Sequence, residues 1–214
     1  QSVAMKNAGS SIRHLGAVGE DGEWMVEKLS SAGVDTAQVV SLPGPSGHAI
    51  ITIADDGENA ITIFPGANRL IDSDQVERWL ATISATDWLV LQNETSQQRL
   101  AAELAKSRGA RVVYSAAPFD AEVVADIVPF IDLLCVNEIE AAALINHFKV
   151  RSLNNLGINA LLITYGSQGA VYHNFEKKLE ITVKGIPVQV VDTTGAGDTF
   201  CGYFIALLSQ GKDP

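Results

Sequence analysis

The sequence predicts an α/β fold in which a central, mostly parallel sheet is flanked by helices, and three observations predict it. Short apolar runs alternate with helical stretches through the middle of the chain. The 214 residues are 47% hydrophobic and 19% charged, enough to bury a full core in one medium-sized domain. A glycine-rich string also sits between a strand-like run and a helical one, as ligand-binding α/β proteins require.

Residues 87–92 read as a strand, 96–108 as a helix and 111–115 as a second strand, which makes a β-α-β unit. The alternation continues with a helix at 120–127, a strand at 132–136, a helix opening at Glu138 and a strand at 160–165. Two segments depart from it. Residues 49–53 and 60–64 are β-branched runs on either side of the turn-rich Asp55-Asp56-Gly57-Glu58-Asn59, which predicts a hairpin. Its alternation of Ile with Thr or Ala predicts one packed and one open face, and fits a projecting flap and an ordinary edge hairpin equally well. Residues 169–190 hold several short β-rich runs, with turn residues at Asn174 and Gly185-Ile186-Pro187, and 188–191 reads as a last strand.

Composition removes several classes of function. A net charge of −10, with no run of Lys or Arg, argues against a nucleic-acid or anionic-membrane partner. It leaves small anions open, because backbone amides and a helix dipole hold phosphates inside acidic proteins. Cys135 and Cys201 both lie in apolar patterns, so buried thiols in a cytoplasmic protein are expected rather than a disulfide framework. The N-terminus lacks the regions of a secretory signal, and no apolar run reaches the length of a membrane span. His14, His48, His147 and His173 show no metal-ligand spacing. Trp24, Trp79 and Trp88 read as helix-packing or core aromatics, and no Gly-x-x-x-x-Gly-Lys-Ser/Thr string of a P-loop is present.

The most informative string is Val191-Asp192-Thr193-Thr194-Gly195-Ala196-Gly197-Asp198-Thr199-Phe200, which leads into an apolar helix through residues 203–208. Gly195, Ala196 and Gly197 are small enough for an anion to reach the backbone N–H groups at a helix start, where the dipole is positive. Asp198 then stands where it could take a proton from a hydroxyl beside that cradle. A tight turn followed by a favourable first-turn carboxylate is the simpler reading of Gly-x-Gly alone.

The full string resembles the signature of the ribokinase family, the carbohydrate kinases of the phosphofructokinase B type. Gly16-Ala17-Val18-Gly19-Glu20-Asp21-Gly22, Pro65-Gly66-Ala67-Asn68, Val136-Asn137-Glu138-Ile139-Glu140 and Leu162-Ile163-Thr164-Tyr165-Gly166-Ser167-Gln168-Gly169 resemble further segments of that family, in the expected order. The resemblance implies a ribokinase-like, Rossmann-like domain over residues 1–214, with residues 47–64 contributing a small β lid. It implies ATP as donor, Asp198 as base on a sugar hydroxyl, and the amides of Gly195, Ala196 and Gly197 as a cradle for the transferred phosphoryl group.

By the same resemblance, Asn137 and Glu140 lie near the phosphates and hydrated Mg²⁺, while Thr164, Gly166, Ser167, Gly169 and Gly197 meet the nucleotide. Read from spacing alone, Asn137 and Glu140 make a helix cap. Asp192 and Thr194 match positions that help bind K⁺, and Glu94 matches a sugar-hydroxyl acceptor; without the alignment Glu94 is a solvated loop residue. The lid implies a homodimer. Gln1-Ser2-Val3-Ala4 resembles the helix after the family's first strand, so that strand, which carries sugar ligands, is expected to be missing, as are helices beyond Pro214. The spacing from Asn137 to Thr164 is shorter than is usual in the family. The acceptor expected is ribose, giving ribose 5-phosphate. Fructose, ketodeoxygluconate or a nucleoside would use the same base, and a non-catalytic sugar- or nucleotide-binding protein is the reading from another class.

Overall fold

The computed structural model describes residues 1–53, 59–190 and 192–214. The chain begins with α1 (Ser2–Asn7), β1 (Arg13–Val18), α2 (Glu23–Ser31) and β2 (Asp35–Ser41), followed by β3 (His48–Ile53), β4 (Asn59–Phe64) and α3 (Ser73–Leu80). It continues through β5 (Trp88–Gln92), α4 (Gln98–Ser107), β6 (Arg111–Ser115), α5 (Ala121–Ile127), β7 (Leu133–Asn137), α6 (Glu138–Phe148) and β8 (Ala160–Thr164). β9 (Gly169–Asn174), β10 (Leu179–Lys184) and α7 (Ala196–Ser209) complete it.

The main sheet has six strands in the order β10-β9-β8-β7-β6-β5. β5 to β8 are parallel neighbours, whereas β9 runs antiparallel to β8, and β10 to β9. The parallel strands are near-continuous apolar runs because both of their faces are covered. Alternate residues of β6 show this. Val112 and Tyr114 join a core with Ala102 and Ala105 of α4, Val124 of α5 and Leu144 of α6. Val113 points the other way, into a cluster with Cys135, Leu162, Cys201 and Ile205 that seats α7. The α/β class and its mostly parallel sheet are therefore as the sequence predicts.

Helix starts are set locally. Asp72 caps α3 by accepting from the Gln75 amide, and Asp120 caps α5 by accepting from the amides of Glu122 and Val123. The predicted hairpin is present as β3 and β4, paired antiparallel in a sheet of their own, with His48 packed on Phe64. Of its predicted turn, residues 55–58 lie outside the described residues. β1 and β2 form a separate parallel pair joined through α2.

Two expectations need correction. Residues 188–190 do not form a strand; 185–190 are irregular and Val188 is 73% exposed. Alternating β-branched residues give a strand only where a neighbour accepts and donates the backbone bonds, and no strand pairs with this segment among the described residues. Val191 lies outside the described residues. Trp24 is not a core aromatic either, being 57% exposed on α2 with the Lys28 ammonium over its ring. Trp79 is buried as expected. Both cysteines are buried and free. No helix among the described residues is long and apolar enough to cross a membrane.

Candidate active site

The C-terminal ends of the parallel strands are where an open α/β sheet presents ligand-binding groups, and most of the predicted site residues stand there. Gln92 ends β5, Asn137 ends β7 and Thr164 ends β8, with Asn137 and Thr164 directly paired across the ladder. Glu94 follows β5 by two residues, in a loop fixed by its neighbour Asn93. The Asn93 amide donates to the Ala117 carbonyl, and its side chain donates to the Pro118 carbonyl.

α7 brings the glycine-rich string to the same edge. Gly195 occupies its N-cap with φ of 70°, a left-handed conformation that disfavours any residue with a Cβ. The Ala196 amide donates to the Thr193 carbonyl at 3.1 Å. The amides of Gly195, Gly197 and Asp198 donate to no acceptor among the described residues. That leaves three N–H groups at the positive end of a 14-residue helix.

Asp198, half-buried in the first turn, is anchored across the fold. Its Oδ1 accepts from Gln92 Nε2 at 2.9 Å, a contact between residues 106 apart in sequence. Glu94 shares this neighbourhood. It is exposed at the rim, yet desolvation against the cleft wall, followed by the negative charge of Asp198, raises its carboxyl above the ordinary glutamate range. Because solvent reaches it, that shift carries little stability. Gln92, Glu94, Asn68, Ser46 and Gly47 line the polar part of a cavity of about 850 Å³ that runs between β1 and β5.

Asn137 and Glu140 form a complete capping box at the start of α6. The Asn137 side chain accepts from the Glu140 amide at 2.9 Å, and Glu140 Oε2 accepts from the Asn137 amide at 2.8 Å. Burial raises the Glu140 carboxyl, and the bond from the Asn137 amide works against that rise. Its Oε1 accepts no bond from the described residues. No group of three or more His, Cys, Asp or Glu side chains among the described residues could cage a metal. A free carboxylate oxygen beside an asparagine nonetheless fits Mg²⁺, which takes one or two carboxylates and completes its shell with water and phosphate oxygens.

The segment after β8 is held tightly. Gly169 has φ of 113°, and a Cβ there would lie 1.9 Å from the Val183 carbonyl oxygen. The Gly185 amide closes the loop by donating to the Gln168 carbonyl at 3.0 Å. Gly166, Ser167 and Gln168 form a single exposed 3₁₀ turn. No hydrogen bond among the described residues joins this turn to the α7 string. Asp192 and Thr194 lie together on the exposed approach to α7. The Thr194 amide donates to Asp192 Oδ1 at 2.8 Å and holds that carboxyl below the usual range.

Sequence reasoning missed Gln92 as a participant. It is an ordinary strand-end glutamine until the fold places α7 against β5, and no local pattern marks it.

Fold and site together suit a kinase: a carboxylate on the first turn of a glycine-started helix, amides beside it that meet no acceptor among the described residues, and a polar cleft at the strand ends. The chain matches the pfkB family carbohydrate kinase model over residues 1–214. It is 34% identical over 227 aligned residues to a ribokinase of Haemophilus influenzae, covering 99% of this chain and 73% of that protein. Among solved structures, a ribokinase of Cryptococcus neoformans var. grubii serotype A in complex with ADP superposes with a TM-score of 0.83 at 29% identity, covering 99% of this chain and 75% of that one. An Arabidopsis thaliana ribokinase complexed with ribose and ATP superposes with a TM-score of 0.81 at 28% identity, covering 99% and 74%. The chain belongs to the pfkB family of carbohydrate kinases and is an ATP-dependent sugar kinase.

Proposed function

We propose that the chain transfers the γ-phosphoryl group of ATP to ribose, giving ribose 5-phosphate, with residues 1–214 acting as one ribokinase-like domain. The observation that carries the reading is Asp198, tethered by Gln92 beside Glu94 and next to amides at the start of α7 that meet no acceptor among the described residues. The similarity to ribokinases supports ribose as the acceptor.

In this mechanism Glu94 accepts a hydrogen bond from a sugar hydroxyl and orients the ring. Asp198 takes the proton of the 5-hydroxyl as its oxygen bonds to the γ-phosphorus and the bond to the ADP oxygen breaks. Gly195, Ala196 and Gly197 cradle the phosphoryl group. The amides of Gly195 and Gly197 stabilise its charge, while Ala196 keeps the approach clear. Thr164, Gly166, Ser167 and Gly169, with Gly197, border the nucleotide, and Asn137 lies near its phosphates. Glu140 would hold Mg²⁺ through water, and that ion would supply positive charge to the phosphate oxygens. Asp192 and Thr194 would contribute to a K⁺ site beside the cradle. The β3–β4 hairpin covers the sugar and excludes water, and its exposed Ile50, Ile51, Ile63 and Phe64 pair with a second copy to give a homodimer. Two free, buried cysteines fit a reducing cytoplasm.

The test is ATP consumption with Mg²⁺ and K⁺ against ribose, deoxyribose, fructose, ketodeoxygluconate and adenosine. Selective turnover of ribose is expected, with a fall when Na⁺ replaces K⁺. Preference for another acceptor would keep the mechanism and replace the substrate. ATP binding without turnover on any of them would favour a binding protein.

A further inference from the structure

We infer that Gln92 is a positioning residue for the base: its side-chain amide fixes one oxygen of Asp198 so that the other faces the acceptor hydroxyl. The inference rests on the proposed reading of Asp198 as base and deepens it.

Gln92 is well placed for this task. Its backbone is fixed by parallel pairing of β5 with β6, opposite Ser115, whereas Asp198 rides on a separate element, the first turn of α7. The 2.9 Å bond from Gln92 Nε2 to Asp198 Oδ1 is the sole side-chain hydrogen bond of that carboxylate among the described residues. An aspartate carboxylate held at one oxygen loses the broad rotation of its last torsion. With Oδ1 occupied, Oδ2 is the oxygen left to receive a proton.

The chemistry of the donor also matters. Asp198 makes no ion pair among the described residues. The charged groups around it are Glu94 in the loop after β5, Glu140 on α6, and the amino group of Gln1, the last two acting on the neighbouring thiol of Cys201. A cation in place of Gln92 would bind the carboxylate more strongly and weaken it as a base. A neutral amide orients it while leaving its charge available.

The test uses Gln92→Leu and Gln92→Glu in the whole chain, with Asp198→Asn alongside, on the acceptor that turns over fastest. Gln92→Leu should lower kcat by about tenfold to a hundredfold, the scale of one hydrogen bond to a charged group. KM for ATP should change little. Without the N–H donor the carboxylate loses its fixed orientation, so the loss should fall on kcat and leave KM for the acceptor nearly unchanged. Gln92→Glu, which puts a third carboxylate where the donor stood, should lower kcat further. Thermal unfolding of each variant separates this role from a structural one. A fall in kcat that follows a fall in Tm, with KM rising alongside, would overturn the positioning role while an inactive Asp198→Asn left the base in place. Near-normal turnover of Asp198→Asn would remove the base reading and the positioning role with it.

Discussion

β8 and β3 are built from the same kinds of residue and meet opposite environments. Leu162 of β8 is 1% exposed, between strands on both sides and with α7 over its face, while Ile51 of β3 is 51% exposed in a sheet of two strands. Hydrophobicity therefore does not separate the two segments; the number of covering layers does. The parallel strands make a rigid frame whose ends hold Gln92, Asn137 and Thr164. The hairpin presents apolar surface that nothing among the described residues covers, which suits a part that closes over a ligand or meets a second copy. Frame and hairpin should accordingly fail in different ways.

The sharpest break of that contrast is chemical. Asp198→Asn should lower kcat roughly 10²- to 10⁴-fold with little change in Tm or in ATP binding, measured by coupled ADP release and calorimetry. A comparable loss of Tm would mean that the residue belongs to the frame. Next in size, Leu162→Ala should cost about 2–5 kcal/mol of stability in denaturant unfolding. Ile51→Ala should stay within about 0.5 kcal/mol and act instead on KM for the sugar. Equal stability losses would erase the distinction.

The smallest effect is a pH dependence. The Glu94 carboxyl is raised by desolvation and by Asp198, and in the proposed mechanism its ionised form accepts a sugar hydroxyl. As pH falls, protonation removes that acceptor, so KM for the sugar should start to climb above the ordinary glutamate value of 4.5. Glu94→Gln should have a raised KM that is flat over the same range. A wild-type KM that rises only below 4.5 would mean that neither desolvation nor Asp198 raises this carboxyl.

What the sequence revealed follows the same division. β7 and β8 were legible because apolar runs bounded by helical stretches have few other uses. The α6 cap was legible because Asn137 and Glu140 carry a capping box within four residues. The region of β1, α2 and β2 was not assigned as elements. α2 buries none of its residues, and its strands are only partly covered, so neither periodicity is strong. Residues 188–190 misled in the other direction, since a β-branched alternation says nothing about whether a partner strand exists. Gln92 was hidden because its meaning lies in a contact made by tertiary packing alone.

α7 does two jobs at once. Its first turn carries Asp198, and its middle fills the second face of the sheet through Cys201 and Ile205. Heat that loosens this seam would draw the carboxylate away from Gln92. A selection for heat-resistant turnover should therefore gather its substitutions along the seam between α7 and the sheet, far from any atom of the substrate.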